Sequence, residues 1–387
     1  MIKVWIDKNL KGDPVIWGIV LALSILSILV VYSATGTLAY RYMEGNTEHY
    51  LFRHGLLVLL SLVAMWGAHK IDYRYYARLS RFALWLSVPL LLFAWQFGTN
   101  LNDASRWITI PLINKTFQPS DLAQLALISH LAAMLSKRQL NIDDFKATLI
   151  PMLMWVGVIC GLIAMTNMST AALLFFTCMV LFFIGRVPIK YLVMLFFVGI
   201  LAGAIAFSIG QRGDTVVSRF NDFFSPTEVP YQAQQSYIAI AKGGLIGSGP
   251  GQSETKDFLP HPYSDFIFSI IIEEYGMIGG SIVILLYVAL LYRGMKTSTQ
   301  SNKAFGGLLS AGLSIALVMQ AMTNICVSVG LIPITGLPLP LVSMGGTSLL
   351  FTGISLGIIL SVSRGEIEEL NASAGRSNEF KKVASAA

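Results

Sequence analysis

Long stretches without a charge set the first limit on this chain. VIWGIVLALSILSILVVYSATG at 15–36 is one, and there are about ten such runs, near 15–36, 50–68, 82–97, 119–135, 148–165, 170–184, 191–209, 266–292, 305–331 and 346–363. The runs at 82–97 and 170–184 are the shortest, while several others can cross roughly 30 Å of hydrocarbon. Only 12% of residues are charged, against roughly 25% in soluble domains, so lipid is the solvent this composition suits. Backbone groups in lipid must be satisfied within the protein, and the runs show no sustained alternation, which favours helices over a β-barrel. The expected fold is therefore an all-α polytopic membrane protein.

The first run follows MIKVWIDKNLKGDP with no small-residue cleavage site behind it, so a retained helix is expected rather than a cleaved signal peptide. Most of the 27 Lys and Arg fall between runs on the side shared by both chain ends, which places both termini in the cytoplasm by the positive-inside rule. The net charge of +6 fits that bias and an attraction to anionic membrane lipid. No basic-aromatic array points to nucleic acid. Residues 1–364 form one expected transmembrane domain with a large outer loop at 210–265, and 365–387 form a cytoplasmic tail. Ordered loops of that length tend to carry function. Within the loop, YQAQQSYIAIA at 231–241 has the pattern of an interfacial amphipathic helix.

Cys160, Cys178 and Cys326 lie inside apolar runs without a CxxC pair, which suits packing rather than a disulfide framework or a thiol metal site. His49, His54, His69, His130 and His261 lack metal-ligand spacing.

Three acids interrupt FLPHPYSDFIFSIIIEEYGMIGG at 258–280. Asp265 stands where the outer loop meets the eighth run, so Ser264 or Asp265 could cap that helix, and an acid at a membrane rim is equally a functional candidate. Glu273 and Glu274 lie about 12 Å deeper at roughly 1.5 Å per residue, and an uncompensated charge there costs at least about 2.5 kcal/mol. They read either as a buried bonded pair fixing helix packing or as the lining of a polar cavity. Arg106 beside Trp107 suits a membrane surface or a grip on phosphate, and Pro119, Ser120 and Asp121 read as a helix start. The glycines of KGGLIGSGPG at 242–251 match neither phosphate-loop spacing, so a turn competes with an anion-binding backbone. Prolines and glycines in GLIPITGLPLPLVSMGGTSLLF at 330–351 place irregular backbone between two runs, which is tolerated only when buried or lining a cavity.

Together SRWI at 105–108, FQPSD at 117–121, QSYIAIAKGGLIGSGPG at 235–251, LPHPYSDFIFSIIIEEYG at 259–276 and PLPLVSMGGTS at 338–348 closely resemble the SEDS family of peptidoglycan glycosyltransferases. PITGLPLPLVSMGGTS and the closing ILSVSR at 359–364 are more similar to the division-type (FtsW-like) branch than to the elongation-type (RodA-like) one. The resemblance implies about ten transmembrane helices, with the large extracytoplasmic loop between the seventh and eighth, in a bacterial inner membrane. It also implies polymerisation of lipid II into glycan strands in septal cell-wall synthesis. Asp265 matches the essential aspartate and inherits the role of general base.

Substrate contacts are expected from Arg106, Trp107, Gln118, Ser120 and Asp121, from Gln235, Ser236, Lys242, Gly243 and Gly244, and from Ser264, Ser343, Gly345 and Gly346. Glu273 and Glu274 are expected to line or seal the cavity beneath Asp265. The residues specify no cofactor, and a divalent cation, Mg²⁺ or Mn²⁺, could share the phosphate. Implied partners are lipid II, the nascent strand, a class B penicillin-binding protein and other divisome proteins. Three departures stand out: QPSDLAQ where many members read QPSExxK, TNMSTA at 166–171 where an acidic-Pro phrase similar to PDxGT is usual, and His261 where glutamate is frequent. A lipid II flippase and a non-catalytic scaffold remain the rival readings, because broken helices and midplane acids also occur in transporters.

Overall fold

The computed structural model describes residues 9–36, 47–101, 104–110, 115–209, 218–219, 223–224, 229–259 and 262–386, and the side chain of Arg106 and position 261 lie outside the described residues. Every apolar run falls in a helix. These are α1 (Pro14–Ala34), α2 (Thr47–Lys70), α3 (Tyr73–Phe97), α4 (Pro119–Lys137), α5 (Ile150–Ala164), α6 (Met168–Ile184) and α7 (Ile189–Ile209). After α8 (Tyr231–Gly243), which the long loop carries, come α9 (Ile267–Gln300), α10 (Ala304–Ser328) and α11 (Thr347–Ala386). Among the described residues seven helices are long and apolar enough to cross a membrane, and α6 and the described part of α7 are shorter apolar helices. The architecture is that of a polytopic helical membrane protein.

Helix starts follow local chemistry. Asp13 caps α1 by accepting from Val15 N at 2.9 Å, with Pro14 supplying the fixed φ of the first turn. Asp72 does the same for α3 through Arg74 N at 2.9 Å, which starts that helix well before the apolar run at 82. Asp13 also takes a 2.5 Å bond from Arg293 Nε, tying the start of α1 to the far end of α9.

The segment between α3 and α4, for which the sequence suggested no regular structure of its own, is a three-stranded antiparallel sheet. Its strands are β1 (Thr99–Leu101), β2 (Ala104–Ile110) and β3 (Lys115–Phe117), in register Thr99 to Trp107 and Ile108 to Phe117. The sheet leads straight into Pro119 of α4 and marks one end of the bundle, opposite to the start of α1.

α10 is buried along most of its length between α4, α6, α9 and α11, and α11 packs most extensively on α2. At that α2–α11 contact Gly353 and Gly357 face the carbonyls of Ser61 and Met65, leaving no space for a larger residue.

α9 is broken at Gly276 (φ 70°, ψ −177°), and the glycine turn after α8 fills the break. Ser248 N and Gly249 N donate to the carbonyls of Glu273 and Glu274 at 2.9 and 3.0 Å, while Met277 N and Ile278 N donate to Gly244 O and Leu245 O at 2.9 and 3.3 Å. Two helical bonds are thereby exchanged for four bonds to the loop, so no backbone group is stranded in an apolar setting. Gly247 has φ 89° and a Cβ there would strike the Glu274 carbonyl. Gly247→Ala is expected to cost about 2–4 kcal/mol, read as a lowered Tm of the purified protein, whereas Gly18→Ala, with open space around it, should stay within about 0.5 kcal/mol.

Candidate functional site

At the sheet end the helices diverge around a cavity of about 470 Å³. α2, the sheet, α4, the start of α6, the loop before α9, and the coil between α10 and α11 all contribute to its wall. Of the residues expected from sequence, Trp107, Gln118, Asp121, Ser264, Asp265, Gly345 and Gly346 meet there. The proline- and glycine-rich coil at 330–346 forms part of this wall, with Gly336, Leu337 and Pro338 facing the space.

Asp265 does not cap α9, contrary to one sequence expectation. The N-cap position is Phe266, without a side-chain bond, and Ser264 Oγ donates to Asp265 Oδ1 at 2.8 Å instead. This leaves the carboxylate facing the cavity rather than spent on helix N–H groups. Its backbone is fixed from below, because Asn324 of α10 donates one amide N–H to Asp265 O at 2.8 Å and another to Leu337 O at 2.7 Å. Ser343 Oγ, behind the wall, donates to Ser264 O at 2.6 Å and accepts from Leu339 N at 2.8 Å, and Met344 N donates to Tyr263 O at 2.9 Å. The segment carrying Asp265 is thus stitched to the coil on both sides. Ser120 is buried beside the cavity and bonded to Gln118 Nε2 at 2.9 Å.

Other expected residues lie elsewhere. Ser236 holds α8 to the end of α10 through Ser328 O at 2.8 Å, and Gly243 packs against the Ile272 carbonyl of α9. Gln235 is half-buried on α8, and Gly244 belongs to the turn in the α9 break. Lys242 bonds Glu254 at 2.7 Å, and that bond holds the Glu254 carboxyl below its usual range and raises the Lys242 ammonium. Being exposed, the pair contributes little to stability.

Glu273 and Glu274 are buried but are absent from the cavity wall, so of the two expected roles, lining or sealing the cavity, the structure corrects the lining one. Glu273 Oε1 accepts from Glu254 N, Thr255 N and Thr255 Oγ1 at 3.1, 3.2 and 2.8 Å, and Oε2 accepts from Ser253 Oγ. Glu274 accepts from Ser33 Oγ of α1. They are a latch holding the loop at 248–257 against α9 and α1, close to the packing alternative weighed from sequence.

Sequence reasoning did not single out Tyr50, Arg53, Gln320 or Asn324. Their only signal was polarity within or beside apolar runs. Among the described residues on the cavity wall Arg53 is the cation. Among the described residues no group of three or more His, Cys, Asp or Glu could hold a metal, and the cysteines are free. The cavity can therefore offer a carboxylate, a guanidinium, aromatic faces at Tyr50, Trp107 and Tyr263, and backbone edges of a glycine-rich coil.

Residues 13–368 match the family model described as "Cell cycle protein", which unites FtsW, RodA and SpoVE. Stage V sporulation protein E of Bacillus subtilis is 32% identical over 366 residues, covering 92% of this chain and 98% of that one. A probable peptidoglycan glycosyltransferase FtsW of Geobacter metallireducens is 32% identical over 358 residues, covering 91% and 95%. Among solved structures, a chain of a peptidoglycan synthase complex that coordinates polymerization and crosslinking superposes with TM-score 0.73 at 24% identity, covering 92% and 98%. The rod shape determining protein RodA of Thermus thermophilus gives 0.68 at 24% identity, covering 92% and 97%.

Glu273→Ala, which strands two backbone N–H groups and the hydroxyls of Ser253 and Thr255, should cost about 2–4 kcal/mol and expose the loop at 248–257 to limited proteolysis.

Proposed function

The chain belongs to the family of cell-cycle proteins FtsW, RodA and SpoVE, and from that premise we propose that it is a peptidoglycan glycosyltransferase that polymerises lipid II at this cavity. The observation that carries the reading is Asp265, held at the cavity rim by Ser264, Asn324 and the coil, with its carboxylate directed into the space that Arg53 and Trp107 also face.

In this reading the 4-hydroxyl of one lipid-linked disaccharide attacks the anomeric carbon at the reducing end of another glycan. The bond to undecaprenyl pyrophosphate breaks as the new glycosidic bond forms, and Asp265 takes the hydroxyl proton. The leaving group is already activated, so the protein supplies alignment, the base, and compensation for pyrophosphate charge. Arg53, whose guanidinium can pair with phosphate oxygens, takes the last role on the described wall, and Trp107 and the tyrosines offer faces for sugar rings. Mg²⁺ or Mn²⁺ has no ready-made protein site among the described residues, and no step here runs through a metal.

The cavity end of the bundle is the extracytoplasmic one in this proposal, with both termini in the cytoplasm of a cell whose inner membrane holds the chain. A septal role and a class B penicillin-binding protein as cross-linking partner extend the same reading, in keeping with the synthase complex whose fold this chain shares. A lipid II flippase is the second reading, favoured by the break in α9 at Gly276.

Purified chain supplied with lipid II and the partner transpeptidase separates the two. Asp265→Asn is expected to lower glycan polymer formation by about 10²–10⁴-fold without loss of thermal stability. Polymer made equally well by that variant would remove Asp265 as the base, and lipid crossing liposomes without polymer would favour the flippase.

A further inference from the structure

Below the main cavity lies a side chamber of about 50 Å³ between α4, α10 and α11. The two spaces share Asp121, Gln124, Gln320 and Ser348, and the chamber is further lined by apolar side chains including Leu125, Leu313 and Phe351. Asp121 stands at the junction, and its Oδ2 is shut off from solvent without a hydrogen-bond partner. Arg53 lines the main cavity but not this chamber, so no described cation faces Asp121 there.

A carboxylate in an apolar surround needs a counter-charge or a proton, since neutral dipoles alone compensate it poorly. The other polar groups of the chamber are oxygen-bearing and uncharged: the amides of Gln124 and Gln320 and the hydroxyls of Ser348, Thr352 and Ser355. Gln320 commits its Nε2 to Pro338 O at 2.9 Å, so the amide oxygen is what it offers to the chamber. Ser355 is committed to Phe351 O at 2.8 Å.

We infer that this chamber binds one Na⁺, held by the Asp121 carboxylate together with neutral oxygens of Gln124, Gln320, Ser348 and Thr352. Hard oxygen donors carrying a single negative charge match a monovalent alkali cation. Mg²⁺ demands a near-ideal octahedron and dehydrates reluctantly, and the single carboxylate would leave one of its two charges uncompensated. The proposal is independent of the proton transfer assigned to Asp265, although Asp121, Gln124, Gln320 and Ser348 also face the main cavity, and its test does not depend on polymer formation. Bound Na⁺ would brace α4 against α10 and α11, directly beneath the floor on which substrate rests.

The test is thermal unfolding of the purified full chain in detergent at neutral pH, with NaCl replacing choline chloride at constant chloride. The expected result is a saturable rise in Tm of a few degrees. Asp121→Asn should abolish the rise. Gln124→Lys should abolish it as well, because a side chain three residues along the same helix face can bring its own ammonium to Asp121. Equal Tm of the unaltered chain in Na⁺ and choline would overturn the inference, leaving a proton as the partner of Asp121. A Na⁺ response that survives in either variant would overturn the assignment to this chamber. A rise with MgCl₂ but none with NaCl would overturn the choice of a monovalent ion. Should Asp121→Asn fail to fold, Gln124→Lys carries the decision.

Discussion

Polar groups removed from water must find their partners inside the protein, and this requirement shapes the break in α9 and the coil between α10 and α11. An unbroken helix meets it alone. Where α9 breaks at Gly276 or the chain runs as coil between α10 and α11, other segments supply what the helix no longer does. Asn324 shows the economy of this, since one buried amide serves two carbonyls from segments distant in sequence. Tyr287 adds a 2.5 Å bond to Pro340 O, and Ser27 donates to Val342 O at 2.8 Å while also meeting His54 Nε2 at 2.8 Å. The coil is therefore held from α1, α9 and α10 at once, and these bonds fix the course of the cavity wall it forms.

That anchoring matters for the chemistry proposed at Asp265. A base must sit within hydrogen-bond reach of the proton it removes, and small displacements are costly. Here the Asp265 carbonyl is pinned by Asn324, the preceding carbonyl by Ser343, and the carboxylate by Ser264, so both backbone and side chain are oriented before any substrate arrives. Two departures from the SEDS pattern fall in the same space. Asp121 and Gln124 from the altered QPSDLAQ, and Asn167 from TNMSTA, all line the cavity, so the changes alter its charge without touching the Asp265 scaffold. The third, His261, lies outside the described residues.

The helices were legible in the sequence because an uninterrupted apolar run has few other solutions in lipid. The start of α3 was not, since YRYYARLSR at 73–81 mixes cations with aromatics and only the Asp72 cap reveals that the helix has begun. The sheet at 99–117 escaped notice because its strands are short and its pairing depends on register rather than on local pattern. Asp265 could be read from its rim position and from the wording around it. Glu273 and Glu274 could be recognised as acids needing partners, but not assigned to the loop that satisfies them, because Ser253 and Thr255 stand about five turns of helix away in sequence and only folding brings them close. Arg53, Gln320 and Asn324 were hidden for the same reason: one polar residue in an apolar run carries no hint of which cavity it will face.

The exchange of bonds at Gly276 has a bearing on how the chain is made. Residues 243–249 leave the ribosome before the helix whose gap they occupy, so the turn has no template at the moment of its synthesis. A nascent chain ending short of Met277 lacks the amides that Gly244 and Leu245 accept from, and α8 has yet to gain its neighbour in α9. Docking of the loop that carries α8 thus follows synthesis of the eighth long hydrophobic stretch, whose amides at Met277 and Ile278 complete the exchange.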